Sequence, residues 1–576
     1  MPRRTLLALL ALAVALAGLP AVPATHPADA GPSSGHASVA GTAGTGGSAH
    51  VHNPDALESD DPPAADGVPN PVGPASGREA AILAAYPDPV RDGDAGEFVV
   101  VRLPGRGNWS LADDHRTVDL PETAEGVVVV TADPEKARPL VPYAVLALPD
   151  DVALANGGDV IRLRRDDDVV HEVSYESASE GELYRPGAGW EPLGATDFSP
   201  SASGPATVEP FVLPDAPEVP LRVLESAERR ILLAGYTVTD QRVRRALVEA
   251  AQRGVTVRVL VDGGPVGGLS SRQASTLDAL ADAGVDVRAV GGPRDRFGYH
   301  HPKYAVVDDR AVVLSENWKP SGTGGRSSRG WGVVVADDAT AGQLARVFRA
   351  DSGWRDAIPW RTFREGKTFQ PADPAEGRYP ARFDPRTLGA ESVWVLVAPD
   401  NVEREVLALL RSAEDRILVQ QVSVGGRDQP FLQATLDAAR RGVEVRILLS
   451  SAWYVREDNA RLVRWLNDRA AAEDLPLAAK LADPRGRFEK VHNKGVVVDG
   501  ERALVGSVNW NNHSVRENRE VTLVLEGEAV AGYYERVFRS DWRGGWWRAP
   551  VGLGLAVLVA AALAAWFGRR RIEFER

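Results

Sequence analysis

Residues 491–520 read VHNKGVVVDGERALVGSVNWNNHSVRENRE, and residues 299–322 read YHHPKYAVVDDRAVVLSENWKPSG. His492, Lys494 and Asp499 in one stretch, and His301, Lys303 and Asp308 in the other, share the spacing HxKxxxxD. Gly506, Ser507, Val508 and Asn509 follow the later motif, and Ser315 and Asn317 follow the earlier one at matching places. The apolar runs on either side of Asp499-Gly500-Glu501-Arg502 predict a hairpin. Residues two apart on a strand share a face, so His492 and Lys494 project together, and the returning strand brings Ser507 and Asn509 to the same end. An imidazole, a fixed positive charge and neutral donors around one point are what a phosphate group needs.

The two motifs lie in a duplication. SAERRILLAGYTV (226–238) matches SAEDRILVQQVSV (412–424), VEAAQRGVTVRVLVD (248–262) matches LDAARRGVEVRILLS (436–450), and RVFR occurs at 346–349 and 536–539. Each copy reads as strand, helix, strand; in the first these are 230–236, 241–252 and 255–261. A helix feeding a β-branched run predicts a βαβ unit with parallel strands. The period is far beyond that of solenoid repeats, so this is a duplicated domain, and pseudo-two-fold symmetry would set His301, Lys303, Ser315 and Asn317 opposite their counterparts.

At these residues the sequence resembles the phospholipase D superfamily, over roughly 219–542. The resemblance implies an α/β fold of two phospholipase D-like domains, at 219–362 and 391–545. It also implies a phosphodiesterase acting through phosphohistidine, with no cofactor and no metal. His301 is the expected nucleophile and His492 the expected acid/base. Lys303 and Lys494, with Ser315, Asn317, Ser507 and Asn509, would bind the phosphate, and Glu520 would orient a histidine. Asp308 and Asp499 belong to the motif's catalytic set, although tying down the hairpin is the more natural task for them. The first copy departs from the pattern. Leu314 stands where the second has Gly506, its hairpin is one residue shorter, and Gly330 stands where the second has Glu520. Either the two histidines are more asymmetric than is usual in the family, or another carboxylate, such as Asp295, serves His301.

Several neighbours have two readings. His300 reads as a bystander and His513 as a loop residue. Trp318 and Trp510 either line the pocket or fill the core. Arg294, Arg296, Arg485 and Arg487 either draw in an anionic substrate or sit on solvated loops.

The rest of the chain frames this pair. Residues 79–200 carry short β-like runs at 97–101, 126–131, 159–163 and 169–175, which predict a β-sandwich. The stretches AAYPDPVRDGDAGEFVVV (84–101), NWSLADD (108–114), LANGGDVIRL (154–163) and VVHEVSY (169–175) resemble the lamin-tail domain. Linkers are expected at 201–218 and 363–390. Residues 1–24 read as a signal peptide and 25–78, poor in large apolar residues, as a disordered linker. An uncharged apolar run at 549–568, preceded by Trp546 and Trp547 and followed by Arg569, Arg570 and Arg571, predicts one transmembrane helix with a cytoplasmic tail at 569–576. The catalytic domains would then lie on the extracytoplasmic face.

The 576 residues contain no cysteine, which excludes disulfides and thiolate metal sites. The formal net charge is −13, and only seven of the 66 basic residues are lysine. That acidity argues against broad nucleic-acid binding. The leading expectation is hydrolysis or transesterification of a phospholipid. The alternatives are an extracellular endonuclease, with nucleic acid as substrate, and a non-catalytic phosphate-binding envelope protein.

Overall fold

A computed structural model of the chain describes residues 79–89, 96–141, 143–148, 154–178, 180–292, 295–544, 559–564 and 566. The expected signal peptide and first linker lie outside these residues, as does most of the expected membrane span. Among the described residues no helix is long and apolar enough to cross a membrane.

The N-terminal β-rich region forms a six-stranded and a four-stranded sheet. Alternating residues of both, among them Val99, Val101, Leu111, Ile161 and Leu163, bury one common core, which makes the region a sandwich. The strands Gly126–Thr131, Asp159–Arg165 and Asp168–Tyr175 fall where the sequence places them.

Each half of the duplication is built on its own sheet. In the first, a ten-stranded sheet, parallel strands Arg230–Gly235, Thr256–Asp262 and Asp286–Val290 lie beside the antiparallel series Lys303–Val307, Arg310–Leu314 and Ser328–Ala336. The eight-stranded second sheet repeats this with Arg416–Gln421, Glu444–Leu449 and Leu477–Leu481 beside Lys494–Val498, Arg502–Gly506 and Glu520–Glu526. The helix predicted at 241–252 is observed at those residues, capped by Asp240.

Parallel strands are hydrophobic on both faces and need cover on both. Outer helices such as Gln241–Gln252 and Pro430–Arg440 cover one face of each sheet. The inner faces share a single core with helices Asp338–Ser352 and Glu528–Arg543, to which both halves contribute.

The linker expected at 201–218 is instead part of the sheets. Ser201–Ser203 pairs with Ser392–Ala398 of the second half, and Ala206–Leu213 pairs with Ser328–Ala336 of the first. The linker expected at 363–390 likewise ends in a strand, Leu388–Ala390, which crosses back to pair with Ala206–Leu213. Prolines at 205 and 210 disguise these strands in the sequence. The register leaves Pro210 opposite Val333 and still unbroken, because tertiary pairing overrides local propensity.

Candidate active site

The two histidine motifs stand at the ends of equivalent strands, Lys303–Val307 and Lys494–Val498, where the two halves meet. The backbone N–H of His301 donates to the carbonyl of Arg519 at 2.9 Å, and that of His492 to the carbonyl of Arg329 at 3.0 Å. Each histidine is thus held by the strand of the opposite half, and the same bond appears on both sides of the pseudo-dyad.

Buried charge keeps these strands in place. Arg519 pairs with Asp351 at 3.0 Å and Asp400 at 2.8 Å, and its counterpart Arg329 pairs with Asp541 at 3.0 Å and with Asp215. All six side chains are buried. His300 joins this network through Asp351, 3.2 Å from its Nε2, and is structural.

Nδ1 of His301 lies 2.9 and 2.8 Å from the two oxygens of Glu520, so Nε2 is the nitrogen left for chemistry. Glu520 also accepts from Ser514 at 2.5 Å and from Asn518 at 3.4 Å. The carboxylate expected to orient a histidine therefore does so across the duplication. Asp295, considered for this task, is not the partner of His301. Burial pushes the Glu520 carboxyl up, but His301, Lys303 and Ser507 outweigh it and hold it below its usual range. Burial pushes His301 down, Glu520 pulls it back, and Lys303 and Lys494 push it further, leaving it at about 4.

His492 is pushed well below its usual range, first by burial and then by Lys494, Lys319, Lys303 and His301. Lys494 Nζ sits 3.2 and 3.3 Å from the ring nitrogens of His492 and 2.8 Å from its carbonyl. It also reaches the Ser315 carbonyl of the other half at 3.4 Å. Lys303 Nζ makes the matching bond to the His301 carbonyl. Burial lowers both ammonium groups, Lys494 to about 8. Lys303, Lys319, Lys490 and Lys494 all act on the buried carboxyl of Glu316, so four of the chain's seven lysines converge here. Such a cluster favours an anion.

Asp308 and Asp499 are elsewhere. Each ends its strand with positive φ, +54° and +56°. The chain from His301 to Asp308 spans about 20 Å at the rise of a strand. Asp308 accepts from the N–H groups of Glu228, Arg229 and Arg230 at 2.8 to 2.9 Å. Asp499 does the same for Glu414, Asp415 and Arg416. These motif aspartates pin the hairpin to the neighbouring strand.

The serines are structural too. Trp331 N–H donates to Ser315 Oγ at 2.9 Å, and Val521 N–H donates to Ser507 Oγ at 3.1 Å. Asn317 is buried with its Oδ1 unpartnered among the described residues, and Asn509 is half-buried.

Trp318 and Trp510 belong to the two outer cores. Arg296 and Arg487 are buried against Asp356 and Asp541, at 2.8 and 2.7 Å, and attract no substrate. Arg294 lies outside the described residues, and Arg485 is paired with Asp483 at 2.6 Å. His513 is exposed and pairs with Glu517.

Sequence reasoning missed three residues. Tyr236 sets its ring edge-on to His301 at 4.7 Å, and Tyr299 packs on Tyr236 at 5.9 Å. Glu316, 1% exposed, has Oε2 3.3 Å from Nδ1 of His492. The signal for Glu316 was a charged residue between Ser315 and Asn317 where the other copy has Val508; Tyr236 and Tyr299 carried none. Among the described residues no group of three or more His, Asp or Glu could hold a metal ion.

An imidazole with Nε2 free, a second imidazole beside it and ammonium groups around both can attack phosphorus, carry a proton and hold non-bridging oxygens.

Residues 221–352 and 406–542 match the family described as "Cardiolipin synthase, PLD-like domain". Cardiolipin synthase A of Yersinia pseudotuberculosis serotype O:1b (strain IP 31758) is 26% identical over 340 residues, covering 54% of this chain and 63% of its own. The chain thus spans just under two thirds of the length of this curated relative. Among solved structures, phosphatidylserine synthase from Haemophilus influenzae Rd KW20 aligns at 15% identity with a TM-score of 0.46, over 59% of this chain and 88% of its own. Nuc, a phospholipase D family member from Salmonella typhimurium, aligns at 22% identity with a TM-score of 0.23, over 28% of this chain and 98% of its own. The likeness to a PLD-like domain thus occurs twice in the chain, once in each half of its duplication.

Proposed function

We propose that the protein is a phospholipid-metabolising enzyme that transfers or hydrolyses a phosphatidyl group through phosphohistidine. The observation that carries this reading is the His301–Glu520 pair, made across the duplication and facing His492 among four lysines. Nε2 of neutral His301 attacks phosphorus and an N–P bond forms. The P–O bond to the leaving alcohol breaks, and that oxygen takes a proton from His492. Water or a second alcohol then gives its proton to His492 and its oxygen to phosphorus, and the N–P bond breaks. Lys303 and Lys494, with Asn317 and Asn509, hold the non-bridging oxygens. Burial and the neighbouring lysines disfavour imidazolium at His492; a bound phosphodiester anion offsets the lysines and lets His492 carry the proton it must donate.

A lipid substrate is favoured by the surface around the site. Val266 is 78% and Trp453 88% exposed, with Tyr454 beside Trp453, on equivalent loops that follow Thr256–Asp262 and Glu444–Leu449. Val266 N–H donates to the hydroxyl of Tyr236, the ring that packs on His301, and Lys490 lies 5.4 Å from the ring of Tyr454. Exposed aromatic and aliphatic groups at the mouth of a cationic pocket suit a headgroup drawn from a bilayer. The kinship with cardiolipin synthases agrees with this and favours transfer to an alcohol.

The test is to incubate the full chain with phosphatidylglycerol vesicles, with and without added glycerol, and separately with single-stranded DNA. Headgroup release or exchange without DNA cleavage is expected. DNA cleavage without lipid turnover would replace this reading with a nuclease, and turnover of neither would leave a binding protein.

A further inference from the structure

Position 330 in the first half corresponds to Glu520 in the second. Each follows a buried arginine whose carbonyl holds the histidine of the opposite half. Residue 520 stands beside His301, so the pseudo-dyad sets residue 330 beside His492. Residue 330 is a glycine and brings no side chain.

The space is not empty. A Cβ on Gly330 would lie 2.2 Å from Cγ of Glu316 and 2.7 Å from its Oε1. Glu316 therefore fills the volume that a side chain on residue 330 would take, and its Oε2 lies 3.3 Å from His492 Nδ1. The second half shows the complementary arrangement, with Val508 at the position of Glu316 and Glu520 at the position of Gly330.

We propose that Glu316 is the positioning carboxylate of His492, transposed from residue 330 to residue 316, with Gly330 as the vacancy that admits it. The second histidine is thus not without its carboxylate. Both histidines are served, one by an acid on the returning strand and the other by an acid between the motif serine and asparagine.

The two carboxylates differ in surroundings. Ser514 and Asn518 donate to Glu520, whereas neither oxygen of Glu316 makes a hydrogen bond among the described residues, and its contact with His492 is an ion pair at 3.3 Å. Burial pushes Glu316 up, against the pull of Lys494, Lys319, Lys490 and Lys303. Glu520 holds His301 rigidly, as a nucleophile requires. Glu316 can share a proton with His492, as an acid/base requires.

Two substitutions test the inference, whose kinetic arm rests on the proposed function while its spectroscopic arm does not. E316Q keeps the shape and removes the charge. E316V/G330E rebuilds in the first half the arrangement of the second. Histidines of the full chain, labelled on the ring carbon, are titrated by NMR with inorganic phosphate present, and H492N assigns the resonance. The charged groups acting on His492 are Lys494, Lys319, Lys303 and His301, with Glu316 3.3 Å from its Nδ1, and only the last changes. E316Q should lower the His492 pKa by about one unit or more while leaving His301 in place. It should also lower kcat roughly tenfold to hundredfold with little change in KM. The double variant should restore both. The inference is overturned if E316Q titrates and turns over like the wild type, or if E316V/G330E, melting like the wild type, stays as slow as E316Q. Should the wild type turn over no phosphodiester, the proposed function fails and the titration still decides the role of Glu316.

Discussion

Nδ1 of His301, in the first half of the duplication, lies 2.8 Å from a carboxylate oxygen of Glu520, in the second. Neither half completes its own histidine. H301A and H492A should each reduce turnover to background. E520Q should lower kcat by about tenfold to hundredfold, since it leaves the imidazole present but no longer fixed. Steady-state assays on one phosphodiester measure all three. Wild-type rates in either histidine variant would end the idea of a shared site.

His301 also sets a pH dependence. Its folded value is about 4, below the ordinary 6.5. Between those values the unfolded chain takes up a proton that the folded protein refuses, so this group's effect on stability worsens as pH falls from about 6.5 to about 4. Denaturant melts across that window should show a shallower loss in H301Q than in the wild type. In the free enzyme the nucleophile stays neutral down to about pH 4, so His301 should contribute no acid limb to kcat/KM above that pH.

Asp308 should matter to stability and not to chemistry. Three backbone N–H groups converge on a carboxylate whose side chain is 13% exposed. Burial raises its pKa, but those bonds outweigh it and hold it below the usual range. Its contribution is complete above the unfolded value, about 3.9, and is lost as pH falls through the lower folded one. D308N should cost about 1–3 kcal/mol. The folded fraction should keep a kcat near that of the wild type. A catalytic defect with an unchanged melt would restore Asp308 to the active site.

The exposed loops give a test that separates lipid contact from chemistry. V266S/W453S removes two exposed apolar groups, so its thermal melt should not move. Activity on vesicles should fall roughly tenfold, the scale of ~1.5 kcal/mol for apolar surface taken from water. Activity on a short-chain soluble diester should hold. Equal loss on both would place these residues in the catalytic machinery.

Arg519 belongs to the framework. R519A would leave Asp351 and Asp400 buried without their cation, at a cost of about 3–5 kcal/mol. A denaturant midpoint close to the wild type would show that the network is dispensable.

The duplication, the parallel strands and both histidine–lysine pairs were legible in the chain because they rest on local signals. Those signals are β-branched runs, two-residue alternation and a repeated spacing. The same rules missed the strands Ser201–Ser203 and Ala206–Leu213, because their partners lie more than a hundred residues away and their prolines read as linker. The sequence recorded Gly330 as a missing acid and Glu316 as an unremarked one; only the folded chain sets Cγ of Glu316 2.2 Å from where a Cβ on residue 330 would be.

Spacing alone could determine that each histidine projects with its lysine, since alternation along a strand fixes which side chains share a face. It could not determine which acid serves which histidine. That choice is made where two sheets, each needing cover on its inner face, bury a common core and bring residues 219 positions apart within hydrogen-bonding distance.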